Sequence, residues 1–348
     1  MSLLDTTFLN NATREQIDPA VVSQAYAEIV GFAKLREKGR VGIAQSTGIR
    51  FNTVVKKHEA MGILPGYDPL ATQQINPVVQ GVLNPGLYYA VVGLSEREVT
   101  LNTGGDQVKE LDMLKVQVDN GTASLRDRLG YDWYGSSTVD SVGYPTLIGL
   151  GTIVGGSATS YAGIAGTSGV FVDANGVTVN PWSSYVDSVA HLLTKTQDPA
   201  DAEYLPNIMY SAYFATAAYP RTVLPTDILL GIREYQLYMN VAGDKLRLTN
   251  VAADLTFGGA QFAGGMVTMS SDRHVPTGAS GASYGRMWFL NFADFQLDVY
   301  PGKDFQIQSP GWFLSVSPAA RMARWEFAGQ IYCRSRLNQS AITDIQVA

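Results

Sequence analysis

Between Asp106 and about Gly130, the residues Val108, Leu111, Leu114, Val118, Leu125 and Leu129 recur at steps of three, four or seven. That spacing gathers side chains on one stripe of an α-helix. Lys109, Glu110, Asp112, Lys115, Asp119, Arg126 and Asp127 fill mostly the remaining positions. At 1.5 Å per residue the rod is roughly 36 Å long. Asp106 suits its N-cap, after Gly104 and Gly105, and Gly121 marks an expected bend. A stripe of this length needs a sheet or a neighbour to cover it.

The flanking sequence has a different character. From Asp18 to Arg40, Val21, Val22, Ala25, Tyr26, Ile29, Val30, Phe32 and Ala33 predict a helix with Pro19 in its first turn. Its end is basic, with Lys34, Arg36, Lys38 and Arg40 opposed only by Glu37, which suits the negative pole of a helix dipole. Residues 41 to 100 hold short β-rich pieces, Phe51 to Val55 and Leu87 to Val92, among glycines and prolines. Large apolar residues are sparse from Tyr67 to Asn84, so this stretch reads as an extended hairpin that must lie on something else. Beyond the rod, Ser141 to Val172 carries no charge over 32 residues, but eight glycines and eight Ser or Thr make it too polar for a membrane span. Val186 to Leu193 and Pro225 to Met239 are expected as helices. From Met287 onward the chain reads as strands, including Trp325 to Cys333 with Trp325, Phe327, Ile331 and Cys333 alternating. The class is α+β.

With 348 residues the chain exceeds the roughly 250–300 at which single cores stop growing, so two domains are expected. Only 16% of residues are charged, against roughly 25% in typical soluble chains, which points to a surface hidden against partners. A net charge of −6 argues against a protein that coats phosphates over its whole surface. The single cysteine, Cys333, excludes an internal disulfide and a cysteine-based zinc site. Met1 to Ile17 lacks the apolar run of a secretory signal, which fits synthesis in a cytoplasm.

Catalytic signatures are missing. His58, His191 and His274 offer no helical pair of the kind that builds a metal site. Gly149-Leu-Gly151-Thr-Ile-Val-Gly155 has the wrong last spacing for a dinucleotide loop, and neither a phosphate-binding loop nor a Gly-x-Ser-x-Gly elbow occurs. The expectation is therefore no enzyme, no cofactor and no metal.

Several short segments then fall into a meaningful order. Ser95-Glu-Arg-Glu98 and Asn102-Thr-Gly-Gly105 precede the rod, and Gly149-Leu-Gly-Thr-Ile-Val154 and Tyr161-Ala-Gly-Ile164 follow it. Later come Phe257-Gly-Gly259, Met287-Trp-Phe-Leu-Asn291 and Gly329-Gln-Ile-Tyr-Cys-Arg334 before Asn338. In this order over nearly the whole chain, the sequence resembles the major capsid proteins of tailed double-stranded DNA bacteriophages, whose Hong Kong 97-type fold encapsulins also use.

The resemblance implies an N-terminal arm (1–40), an extended loop (41–105), a peripheral domain with a spine helix (106–140 and 290–348) and an axial domain (141–289). It implies self-assembly through pentamers and hexamers into an icosahedral shell around double-stranded DNA, with no membrane. A separate scaffolding protein, a portal and a decoration protein are the implied partners, with assembly in the host bacterial cytoplasm and final location in the virion. Lys56, Lys57, Glu59, Tyr67 and Asp68 are candidate inter-subunit contacts. Lys34, Arg36, Lys38 and Arg40 are candidates to face DNA or scaffold. Some members crosslink a lysine to an asparagine between subunits, for which Lys56, Lys57 and Asn338 are the candidates here. Two other readings stay open at this point: an encapsulin-like compartment, and a Gly-rich α+β hydrolase or binding protein built on scattered carboxylates.

Overall fold

The computed structural model describes residues 29–44, 48–55, 77–95, 107–172, 178–188, 191–193, 204–216, 223–242, 261–262, 267–276, 285–307, 313–314 and 320–347. The chain divides into two compact units, each drawn from separate stretches. The first comprises Met1–Thr47, Asn84–Gly149 and Gln296–Ile331; the second comprises Gly48–Leu83, Leu150–Phe295 and Tyr332–Ala348.

In the first unit the predicted rod is α2 (Gln107–Tyr134), packed along β4 (Gly86–Ser95). It runs unbroken through Gly121, where a bend was expected. The missing side chain serves proximity instead, because a Cβ there would stand 3.0 Å from Val92 Cγ2. The helix also continues four residues past Gly130, since Trp133 and Tyr134 are fully buried. Trp133 meets Phe32 edge-on at 5.8 Å, and Phe327 stacks on both Phe32 and Phe305. Phe32 belongs to α1 (Val30–Glu37), the described part of the predicted N-terminal helix. That helix ends at Gly39 (φ +63°), with Gly39 N–H bonded to Arg36 O and Arg40 N–H to Leu35 O, the paired closure that favours a left-handed glycine.

The sheet of this unit runs β1 (Val41–Ile43), β13 (Phe295–Ile307), β15 (Ala320–Cys333), β14 (Phe313–Leu314), with β4 also paired to β15. The β4–β15 ladder is antiparallel from Ala320↔Ser95 to Gly329↔Gly86. Gln330, fully buried on β15, donates to Asn84 O and Thr146 O and accepts from Ile148 N–H at 2.8 Å. One amide thus ties the segment after α2 to the sheet, satisfying backbone groups that burial would otherwise leave unpaired.

The second unit is built on a mixed sheet, β10 (Gln261–Phe262), β11 (Val267–Ser271), β9 (Asp227–Leu230), β12 (Gly285–Leu290), β16 (Ser340–Val347), β7 (Tyr185–Asp187), with β8 (His191–Leu193) also on β16. Two expected helices are corrected here. Val186 to Leu193 contributes β7 and β8, both parallel to β16, because ladder pairing overrides a weak local preference. Pro225 to Met239 splits into β9 and a helix, α5 (Ile232–Ala242). The run Asp227-Ile-Leu-Leu230 is buried at every position between β11 and β12, the continuous burial that erases period-two alternation. A further helix, α4 (Leu205–Ala215), was not anticipated, although Pro206 opens it and Leu205, Ile208, Met209, Ala212 and Tyr213 bury one face. With α5 these residues form a core against Ile228, Leu230, Met269, Met287, Phe289, Ile342 and Ile345.

The same unit holds the two-stranded ribbon of β2 (Ile49–Val54) and β3 (Val78–Leu83), the base of the predicted hairpin. It also holds most of the charge-free stretch, including the single turn α3 (Leu150–Ile153). That stretch is organised by a charge from elsewhere. Arg336, fully buried, donates to Ile153 O (2.7 Å), Gly155 O (2.8 Å), Thr159 O (3.1 Å) and Trp182 O (3.0 Å). Its guanidinium lies 5.6 Å from the Tyr161 ring and 5.8 Å from the Trp182 ring. Four carbonyl dipoles and two ring faces replace its hydration, which is how a buried cation survives without a carboxylate.

Candidate functional site

Among the described residues no group of three or more His, Cys, Asp or Glu is placed to hold a metal ion. Two histidines do have carboxylate partners, which the sequence reading overlooked. His191 Nε2 lies 3.2 Å from Asp187 Oδ2, and His274 Nδ1 lies 2.9 Å from Asp272 Oδ1. The first pair joins two short strands and the second closes a turn, so both act as local staples. Cys333 is buried, its thiol 3.3 Å from Ser335 O. The Tyr88 phenol is pushed up chiefly by burial and further by the Asp132 carboxylate to which it donates.

What the surface offers is apolar area on rigid strands. On β4, Tyr88 and Val92 point into the core while Leu87, Tyr89 and Val91 are 59%, 67% and 50% exposed. Across the ladder, Ala328, Glu326 and Arg324 stand opposite them. Glu326 is buried between Lys303 and Arg324, so the one carboxylate on this largely apolar face is shared by two cations. In the second unit the ribbon buries Ile49, Phe51 and Thr53 and presents Val54, Val78 and Val82 to solvent. Phe51 stacks on Tyr332 at 5.0 Å, fixing the inner side. On α4 the exposed Tyr210 and Phe214 stack at 6.1 Å, one helical turn apart. Such stripes are the usual material of protein interfaces.

The expected contact residues fall unevenly. Lys56, Lys57, Glu59, Tyr67 and Asp68 lie outside the described residues. Arg36 and Lys38 are exposed, and Lys34 and Arg40 half-buried, around the C-terminal end of α1. Asn338 is buried, its amide donating to Asp294 Oδ2 at 2.6 Å. The exposed stripe on β4 was missed, although the alternation Leu87, Tyr89, Val91 was its signal. Arg336 had no signal, because a lone arginine in a strand-rich tail normally reads as surface.

No family model and no curated protein matches the sequence. Solved structures do. The capsid of a native GTA particle matches with a TM-score of 0.56 at 13% identity, covering 90% of each chain. The capsid of Myoviridae phage XM1 gives 0.55 at 10% identity, covering 89% of this chain and 91% of that one. The cyanophage A-1(L) capsid gives 0.54 at 15%, covering 88% and 90%. The chain has a capsid fold. It is the Hong Kong 97-type fold that the sequence resembles, mixed helix and sheet throughout.

Proposed function

We propose that the chain is the major capsid protein of a tailed bacteriophage, assembling into the icosahedral head shell that encloses its double-stranded DNA. The carrying observation is that the likeness to capsid subunits spans about nine-tenths of both chains. The exposed apolar faces on β4, the ribbon and α4 support it, since a shell subunit is covered on several sides while an isolated one is not. A structural, non-enzymatic role fits the described residues, whose ionisable pairs serve as staples.

In this reading residues 106–140 and 290–348 supply the peripheral domain, apart from β16, which lies in the second unit's sheet; 141–289 supply the axial domain, 1–40 the arm, and the part of 41–105 outside the paired strands β1 to β4 a loop laid on a neighbour. Lys56, Lys57, Glu59, Tyr67 and Asp68 contact other subunits. Lys34, Arg36, Lys38 and Arg40 face DNA or a separate scaffolding protein, offsetting locally the −6 of the whole chain. A portal and a decoration protein complete the head, built in the host cytoplasm. Negative-stain electron microscopy of the expressed protein, alone and with its neighbouring genes, tests this. Shells, sheets or tubes are expected; small discrete particles under both conditions overturn it.

A further inference from the structure

A groove of about 330 Å³ opens in the first unit, bounded by the end of α2, the start of β4 and the turn that follows α2. Leu87, Tyr89 and Tyr144 form apolar and aromatic walls, while Arg128 and Asp140 supply charge. Asp132, beneath them, is already committed: its Oδ2 accepts from the Tyr88 hydroxyl at 2.6 Å and from Arg128 Nε at 3.1 Å. Arg128 is thereby matched, and Asp140 leaves the site one negative charge in excess.

Asp140 is held in place by its own turn. Its Oδ1 accepts from Tyr144 N–H at 2.8 Å and Val142 N–H at 2.9 Å, and its backbone N–H bonds to Tyr144 O. Gly143, at φ +96°, closes the turn. The Tyr144 N–H, with Val142 N–H behind it, keeps the carboxyl below the ordinary carboxylate range. An ionised carboxylate on a fixed turn beside two exposed tyrosine faces is a preorganised receptor for a cation.

We propose that this groove receives a lysine or arginine side chain from a second copy of the chain, seated against the rings of Tyr89 and Tyr144 and the carboxylate of Asp140. The charge excess selects a cation and repels DNA phosphate. Leu87 in the groove and the exposed Val142 on the Asp140 turn give a protein partner apolar area to cover. In an assembly of identical copies the groove recurs on every subunit, so its occupant must recur as often, and the chain's own 25 lysines and arginines do. The inference rests on the shell reading and specifies one of its contacts.

Asp140→Asn separates charge from structure, because the asparagine oxygen still accepts both backbone N–H groups. Tyr144→Leu keeps bulk and removes the aromatic face. The measurement is self-association of the purified chain by analytical ultracentrifugation over a salt series. At low salt each variant is expected to associate about tenfold more weakly than wild type, with the Asp140→Asn salt dependence flattened and the melting temperatures of the free chains unchanged. If wild type assembles and Asp140→Asn assembles equally well, the inference fails while the shell reading stands. Tighter association of Asp140→Asn also overturns it, since the groove then reads an acidic group through Arg128. Wild type that associates under no condition overturns both.

Discussion

Arg336 and Glu234 show the two fates of a buried charge. Arg336 is satisfied at every reach of its fork, so Arg336→Met strands four carbonyls that burial has removed from water. We expect a loss of about 3–5 kcal/mol in urea unfolding, with Arg336→Lys recovering only part because one ammonium cannot span four acceptors. Glu234 in α5 is instead almost fully buried against Gly285, with Oε2 unpartnered, and burial raises its carboxyl above the usual range. The folded state therefore keeps a proton that the unfolded state releases, and stability falls as pH rises past the ordinary carboxylate value. Glu234→Gln, the shape of the protonated acid, is expected to melt higher than wild type at pH 7, with the difference closing toward pH 4. Thermal melts across that range check both sign and window.

At the level of elements, packing explains what local pattern could not. Gly31 on α1 lies so close to Trp133 that a Cβ would overlap the indole. Gly31→Ala is expected to cost about 1–3 kcal/mol despite alanine's better helix propensity, measured by denaturant midpoint. The helix α2 was legible because its stripe repeats over many turns, and β4 and β15 because their apolar residues alternate. Val186 to Leu193 and Asp227 to Leu230 were not, since both are short and their conformation is set by strands far away in sequence, β16 for the first and β11 and β12 for the second. Gly121 looked like a break, yet glycine within a helix can equally mark where another strand comes close.

For the whole molecule, the low charge of the sequence has a concrete counterpart in Leu87, Tyr89, Val91, Tyr210 and Phe214 on the surface. Tyr89→Lys is expected to leave the melting temperature of the free chain within a degree or so of wild type, because the side chain is exposed, while abolishing assembled particles in micrographs. A variant that assembles normally would remove this face from the contact set. The capsid fold was readable from the order of elements, whereas the exposed apolar faces were not, because exposure depends on which side of a strand the core claims.

The arginine that closes the charge-free stretch also sets a clock. Its acceptors at Ile153 and Gly155 lie 183 and 181 residues upstream. At synthesis rates of about 5–20 residues per second, those carbonyls wait roughly 10–40 s for their partner. Until Arg336 emerges, this region has no cation to gather around. A chain that stops short of Arg336 therefore lacks the cation on which this part of the second unit closes.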